Sequence, residues 1–236
     1  MTGTPVLKHI VVAGATGMVG RELIRLLEAR PELAFTALVR RPGTLRALSG
    51  RVREEVFDFE DPASLARLGG EIPCDVLLCA LGTTLKQAGS PEAFRRVDLD
   101  LPVTLMRRLA ELPVRPTFGV VSAAGAGRPR GLYLRTKAEM EKALVDSGLP
   151  YVIVRPSLLM GERAEFRIGE KLGLLLAKPY LFWAKLLAPQ SRILWRYAPI
   201  HAAQVASALV RTCVDDPPTG TGRVLSGLGL HHPILS

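Results

Sequence analysis

The 236-residue chain carries a formal net charge of +9 and is 48% hydrophobic, enough apolar content to bury a full core as one doubly wound domain. Its three cysteines, Cys74, Cys79 and Cys213, fit no zinc spacing and leave an odd thiol, so neither a metal site nor a disulfide scaffold is indicated. No apolar stretch reaches the roughly 20 residues of a membrane span and no basic segment leads into an apolar run and cleavage site, so a cytoplasmic protein with buried, reduced thiols is expected.

Positive charge suits nucleic acid, a membrane surface or an anionic small molecule. The basic pairs Arg40-Arg41, Arg95-Arg96 and Arg107-Arg108 are scattered and lack interleaved aromatics, so no nucleic-acid partner is expected.

His9–Ala13 is an apolar run of strand length, and Arg21–Leu27 has apolar residues at helical spacing. Between them runs Gly14-Ala15-Thr16-Gly17-Met18-Val19-Gly20. A strand, a glycine turn and a helix start place backbone N–H groups and the positive end of a helix dipole where a pyrophosphate binds. Gly14 makes the tight turn, Gly17 admits the phosphates and Gly20 lets helix and strand pack closely, with Thr16 and Met18 in the cradle. A nucleoside-triphosphate loop is excluded, because it ends in Gly-Lys-Ser/Thr and this turn ends in Gly-Arg-Glu.

Ala34–Val39 is the predicted second strand. An NAD site presents a carboxylate at its end to accept from the ribose 2′-hydroxyl. Here stand Arg40 and Arg41, which suit a 2′-phosphate, so NADP(H) is favoured over NAD(H); the competing reading is a solvated basic turn. Val52–Phe57 is the third strand, followed by Asp58, placed near the adenine or serving as a loop-end aspartate. Asp61-Pro62 opens a helix. Asp75–Leu81 reads as a central parallel strand covered on both faces, and Leu81, Gly82 and Thr83 form a small-residue turn beside the nicotinamide ribose. Pro91–Leu112 is a long helical stretch, and Thr117–Val121 the fifth strand. The alternation predicts an α/β, Rossmann-like doubly wound parallel sheet with helices on both faces and a small C-terminal substrate-side segment.

Ser122 follows the fifth strand. Eleven residues on come Tyr133 and Lys137, which share a helix face. An ammonium beside a phenol favours the phenolate and is expected to lower the tyrosine pKa from about 10. Tyr133 then exchanges a proton with a carbonyl or alcohol whose oxygen Ser122 holds. Taken alone, a Tyr and Lys four apart are commonplace; behind a dinucleotide turn and a strand-end serine the pair becomes specific.

With these residues the chain resembles the short-chain dehydrogenase/reductase superfamily, and its Gly14-x-x-Gly17-x-x-Gly20 pattern looks like the extended and atypical branches. The segments 81–84, 121–126, 132–139 and 154–159 resemble the atypical family of the Tat-interacting, tumour-suppressor-like protein and its bacterial relatives, over about residues 8–212. The resemblance implies an NADP(H)-binding Rossmann protein with a Ser-Tyr-Lys constellation, and places Pro156 and Leu158 near the cofactor. In one respect the chain departs from the superfamily: shorter members carry an asparagine in the proton relay, and this chain has no asparagine.

Tyr151–Val154 is the sixth strand. From Glu162 the alternation stops. Lys171, Lys178, Lys185 and Arg192 recur every seven residues among leucines and aromatics, interrupted by Pro179 and Pro189. A lid over the substrate, a homodimer face and a peripheral membrane contact through 170–192 all remain open. Tyr197–His201 reads as a short strand, Ala202–Val210 as a helix and Arg223–Ser226 as a last strand. No linker divides the chain, so residues 1–236 are expected to form one domain with 162–200 as a substrate-side insertion or lid. The expected activity is an NADP(H)-dependent oxidoreductase acting on a small-molecule carbonyl or alcohol. An NADPH-sensing regulator without turnover and an epimerase or isomerase are the alternatives.

Overall fold

The computed structural model describes residues 8–160, 199–220 and 222–231. In chain order the first elements are β1 (Lys8–Ala13), α1 (Met18–Glu28), β2 (Leu33–Val39), β3 (Arg53–Val56), α2 (Pro62–Ala66) and β4 (Val76–Cys79). There follow α3 (Leu85–Ala88), α4 (Pro91–Arg95), α5 (Leu101–Ala110), β5 (Thr117–Val121), α6 (Gly131–Asp146) and β6 (Tyr151–Arg155). The described remainder holds β7 (Leu159–Met160), β8 (Ile200–His201), α7 (Ala202–Val210), β9 (Gly222–Ser226) and α8 (Leu228–His231).

Seven strands form one parallel sheet in the order β3-β2-β1-β4-β5-β6-β9, and β7 pairs with β8 apart from it. From β1, third from one edge, the chain moves outward to β3 and then crosses back to build the rest of the sheet from β4. This is the Rossmann-like doubly wound arrangement. Successive side chains of a strand point to opposite faces. In β1, Ile10 and Val12 join a core with Leu23, Leu27 and Val205 of α1 and α7; Val11 and Ala13 join a second with Leu105 and Met140 of α5 and α6. Helices on both faces explain why β4 is apolar at every position and β1 is apolar from Ile10 onward. β3 lies at the edge and Val56 is exposed there.

The seven strands of the main sheet lie where the sequence placed them, with shorter limits for the third and fourth, while β7 was not expected. Asp61 caps α2 by accepting from the N–H groups of Ala63 and Ser64. The stretch predicted as one helix over 91–112 is divided. Residues Arg96–Asp100 form a π-helical turn between α4 and α5, where the Leu101 N–H donates to Arg96 five residues back. Pro102 supplies the physical reason: it has no N–H for the carbonyl of Asp98, and its ring crowds that carbonyl, so the ladder widens. Residues 161–198, which include the basic stripe and the beginning of the predicted 197–201 strand, lie outside the described residues.

Candidate functional site

Because the sheet is parallel, every strand ends on the same edge, and the candidate residues follow those ends. After β1, Gly14 has φ +83°, a left-handed conformation that favours glycine. A Cβ on Gly14 would lie 2.6 Å from the carbonyl carbon and oxygen of Ala80, after β4. One on Gly20 would lie 2.1 Å from the Gly14 oxygen, so the first turn of α1 rests directly on the glycine turn. Gly17 caps α1 with no side-chain hydrogen bond, so the helix start meets no acceptor of its own there, and Thr16 is exposed beside it. A backbone cradle too tight for side chains, at an uncapped helix N-terminus, fits a dinucleotide pyrophosphate.

Arg40 and Arg41 are exposed at the end of β2, and neither pairs with an acid among the described residues. Glu54 of β3 fixes the following loop, accepting from the N–H of Gly43 and, at 2.6 Å, of Leu45. Asp58 is exposed after β3 and accepts from the Glu60 N–H at 3.0 Å, the loop-end role its sequence position also allows. Pro156 is buried and its carbonyl accepts from Ala124 at 2.7 Å, continuing the β5–β6 pairing beyond the strands. Leu158 is exposed, and its carbonyl accepts from Ile200 at 3.0 Å, beside the β7–β8 pair.

Ala80–Thr83 joins the glycine turn to the chemical residues. It touches Gly14 at one end. At the other, a Cβ on Gly82 would lie 3.4 Å from Asp98 Oδ1 and 3.9 Å from Lys137 Nζ. Leu81 between them is partly buried against the α5–α6 core. Lys137 and Asp98 form a buried ion pair, Nζ to Oδ1 2.7 Å, while Asp98 Oδ2 accepts from the Thr83 N–H at 2.8 Å. Asp98 went unnoticed in the sequence, because its burial arises from the π-helical turn. The proline four residues later was the available signal.

A second network was also missed. Tyr133, Lys137 and Glu141 recur every four residues along one face of α6. Ser122 donates its hydroxyl proton to Glu141 Oε1, and Arg155 of β6 grips the same carboxylate, with Nε at 2.9 Å from Oε1 and Nη2 at 2.5 Å from Oε2. A serine hydroxyl has one proton, so Ser122 in this arrangement meets a reacting oxygen as an acceptor.

The Tyr133 ring packs against Phe94 of α4, centroids 5.8 Å apart, and remains 41% exposed. Its acidity corrects the expectation from spacing. Partial burial raises the phenol pKa above the ordinary value; Lys137 opposes this, and Asp98 reinforces it. The lysine is present, but its charge is shared with a carboxylate that the four-residue spacing could not reveal. The thiols are held protonated by burial, at about 12 for Cys74 and Cys213 and about 11 for Cys79.

A family model described as NAD(P)H-binding matches residues 14–173. The protein HTATIP2 of Rattus norvegicus is 33% identical over 169 residues, covering 69% of this chain and 67% of that protein. The mitochondrial protein FMP52 of Candida albicans is 29% identical over 158 residues, covering 65% and 68%. Among solved structures, a short-chain type dehydrogenase/reductase from Mycobacterium ulcerans superposes with TM-score 0.68 at 16% identity, covering 95% of this chain and 90% of that one. The Bordetella bronchiseptica enzyme WbmH in complex with NAD+ gives 0.67 at 17%, covering 93% and 76%. The cytoplasmic expectation is corrected by the relatives, since five fungal FMP52 proteins are named mitochondrial. That expectation stood on the apolar and basic runs sought in the sequence, which do not test for a mitochondrial address.

Proposed function

The chain belongs to the NAD(P)H-binding family and is similar to HTATIP2, and from that premise we propose an NADP(H)-dependent reductase or dehydrogenase of the short-chain type, acting on a small carbonyl or alcohol. One observation carries the reading: the segment Ala80–Thr83 packs on Gly14 of the glycine turn and on the Lys137–Asp98 pair, so the dinucleotide cradle and the proton-transfer residues share one wall. Gly14, Thr16, Gly17, Met18 and Gly20 hold the pyrophosphate, and Arg40 and Arg41 receive the 2′-phosphate as paired, solvent-facing guanidiniums. Leu81, Gly82 and Thr83 line the ribose, with Pro156 and Leu158 on the nicotinamide side.

The nicotinamide supplies the hydride when bound. Tyr133 moves the proton at the reacting oxygen, Lys137 orients the ribose and the phenol, and Ser122, its own proton donated to Glu141, accepts from the hydroxyl form of the substrate. Phe94 packs against the Tyr133 ring and holds it in place. Tyr133→Phe tests the assignment: turnover of a carbonyl panel with NADPH falls by about 10²–10⁴-fold while calorimetric NADPH affinity is retained.

A second reading, an NADPH-sensing protein without turnover, draws on the Asp98–Lys137 and Ser122–Glu141 bonds, which occupy both chemical partners of Tyr133. It predicts NADPH binding with no carbonyl turnover in the parent protein.

A further inference from the structure

Asp98 takes no part in the residue pattern that first defined the site, yet it is the most completely enclosed acid there, 1% exposed. Its two oxygens are both used. Oδ1 meets Lys137 Nζ at 2.7 Å and Oδ2 meets the Thr83 N–H at 2.8 Å. Lys137 is itself 4% exposed, and its further contact is the Val121 carbonyl at 3.5 Å, at the end of β5. A carboxylate so placed does two things: it aims the ammonium, and it opposes the ammonium's field at any third group nearby.

Tyr133 is that third group, one helical turn before Lys137. Most other charges on the neighbouring elements are paired. Between α4 and α6, Arg95 pairs with Glu139 at 2.5 Å; Arg96 of the π-helical turn pairs with Glu60; Glu141, deeper on α6, pairs with Arg155 of β6. Arg135 on α6 is exposed and its Nε donates to the Gly131 carbonyl. Phe94 contributes only a ring. The charge that Tyr133 experiences from the lysine is therefore governed by Asp98.

We propose that Asp98 is a positioning residue that holds Lys137 against the Gly82–Thr83 loop and opposes its charge, so that Tyr133 holds its proton more tightly than it would beside an unopposed ammonium. The assignment rests on the oxidoreductase reading, in which Tyr133 gives up its proton when a carbonyl is reduced. As the carbonyl carbon takes a hydride from the reduced nicotinamide, the Tyr133 O–H bond breaks, its proton completes the alcohol, and the electron pair remains on the phenolate oxygen. The raised pKa of the phenol, driven first by burial and reinforced by Asp98 against Lys137, agrees with this arrangement.

The test is an ultraviolet phenolate titration of the full-length, nucleotide-free protein, with Tyr133→Phe subtracted and circular dichroism recording the fold at each pH. In the parent protein Tyr133 is expected to ionise above the ordinary phenol value of about 10. In Asp98→Asn, which keeps an acceptor for Thr83 and removes the charge, it is expected to ionise at least about one unit lower, a tenfold change in the phenol-to-phenolate ratio. The pH profile of alcohol oxidation moves the same way. A parent Tyr133 that ionises below about 10, or an Asp98→Asn titration that coincides with the parent, overturns the proposal. Should Asp98→Asn not fold, Lys137→Met in the parent decides: with the lysine's field already opposed by Asp98, its removal is expected to move the Tyr133 titration by less than about one unit, and a larger rise overturns the proposal. A parent protein that titrates as expected but reduces no carbonyl removes the oxidoreductase reading and leaves the electrostatic assignment of Asp98 standing; turnover with a low-titrating Tyr133 does the reverse.

Discussion

Lys137 shows how a residue can be identified by spacing while its charge is set elsewhere. The ammonium lies where the four-residue interval puts it, but Asp98 at 2.7 Å shares its field, and partial burial then dominates the Tyr133 phenol. The same scale governs cofactor choice. Arg40 and Arg41 pair with no acid among the described residues and so lose no existing partner when a phosphate arrives. Arg40→Ala and Arg41→Ala are each expected to weaken NADPH about tenfold, roughly 1.4 kcal/mol, and to leave NADH unchanged in side-by-side calorimetry. A comparable change for both nucleotides would place these arginines away from the 2′-position. At Gly20 the constraint is steric. A methyl group 2.1 Å from the Gly14 oxygen forces the turn open, and Gly20→Ala is expected to lose about 1–3 kcal/mol in urea unfolding together with NADPH affinity.

Among elements, the division of the 91–112 helical stretch matters most. A regular helix would present Asp98 at a different angle to α6; the wider turn that Pro102 imposes brings its carboxylate onto Lys137 and the Thr83 N–H. Periodicity reads helix through this stretch because the interruption extends over a single turn. Helix α7 meets β5 through a similarly local fit. A Cβ on Gly119 would lie 2.6 Å from Cys213 Sγ, in the π-helical turn 211–215 that continues α7, and 3.0 Å from Leu78 Cδ2. Gly119→Ala is expected to cost about 1–3 kcal/mol by overpacking. Combining it with Cys213→Ala should restore part of that loss, and strict additivity in the double-mutant cycle would contradict the contact.

Across the whole molecule, the two cores hold thiols that report on global stability. Cys79 and Cys213 are fully buried and ionise at about 11 and about 12, whereas an unfolded chain releases these protons near 9. Between those values the folded state binds more protons than the unfolded one, so stability falls as pH rises. Each thiol contributes a loss of about 1.4 kcal/mol per pH unit in that window. Urea midpoints should therefore decline above about pH 9, and less steeply in Cys79→Ala; equal slopes would show that the thiol is solvated in the folded protein. At neutral pH both thiols are expected to resist iodoacetamide until the chain unfolds.

The amino-acid order by itself determined the doubly wound sheet, the position of the glycine turn and the helix face shared by Tyr133 and Lys137. These depend on local periods of two and 3.6 residues and on the conformational freedom of glycine, all carried by near neighbours along the chain. Only the tertiary structure decided the partners. Asp98 reaches Lys137 across 39 residues, and Glu141 joins Ser122 to Arg155 from three separate elements. Such pairs form because burial leaves each charged or hydroxyl group only the partners that packing brings within about 3 Å, and that selection has no period in the sequence.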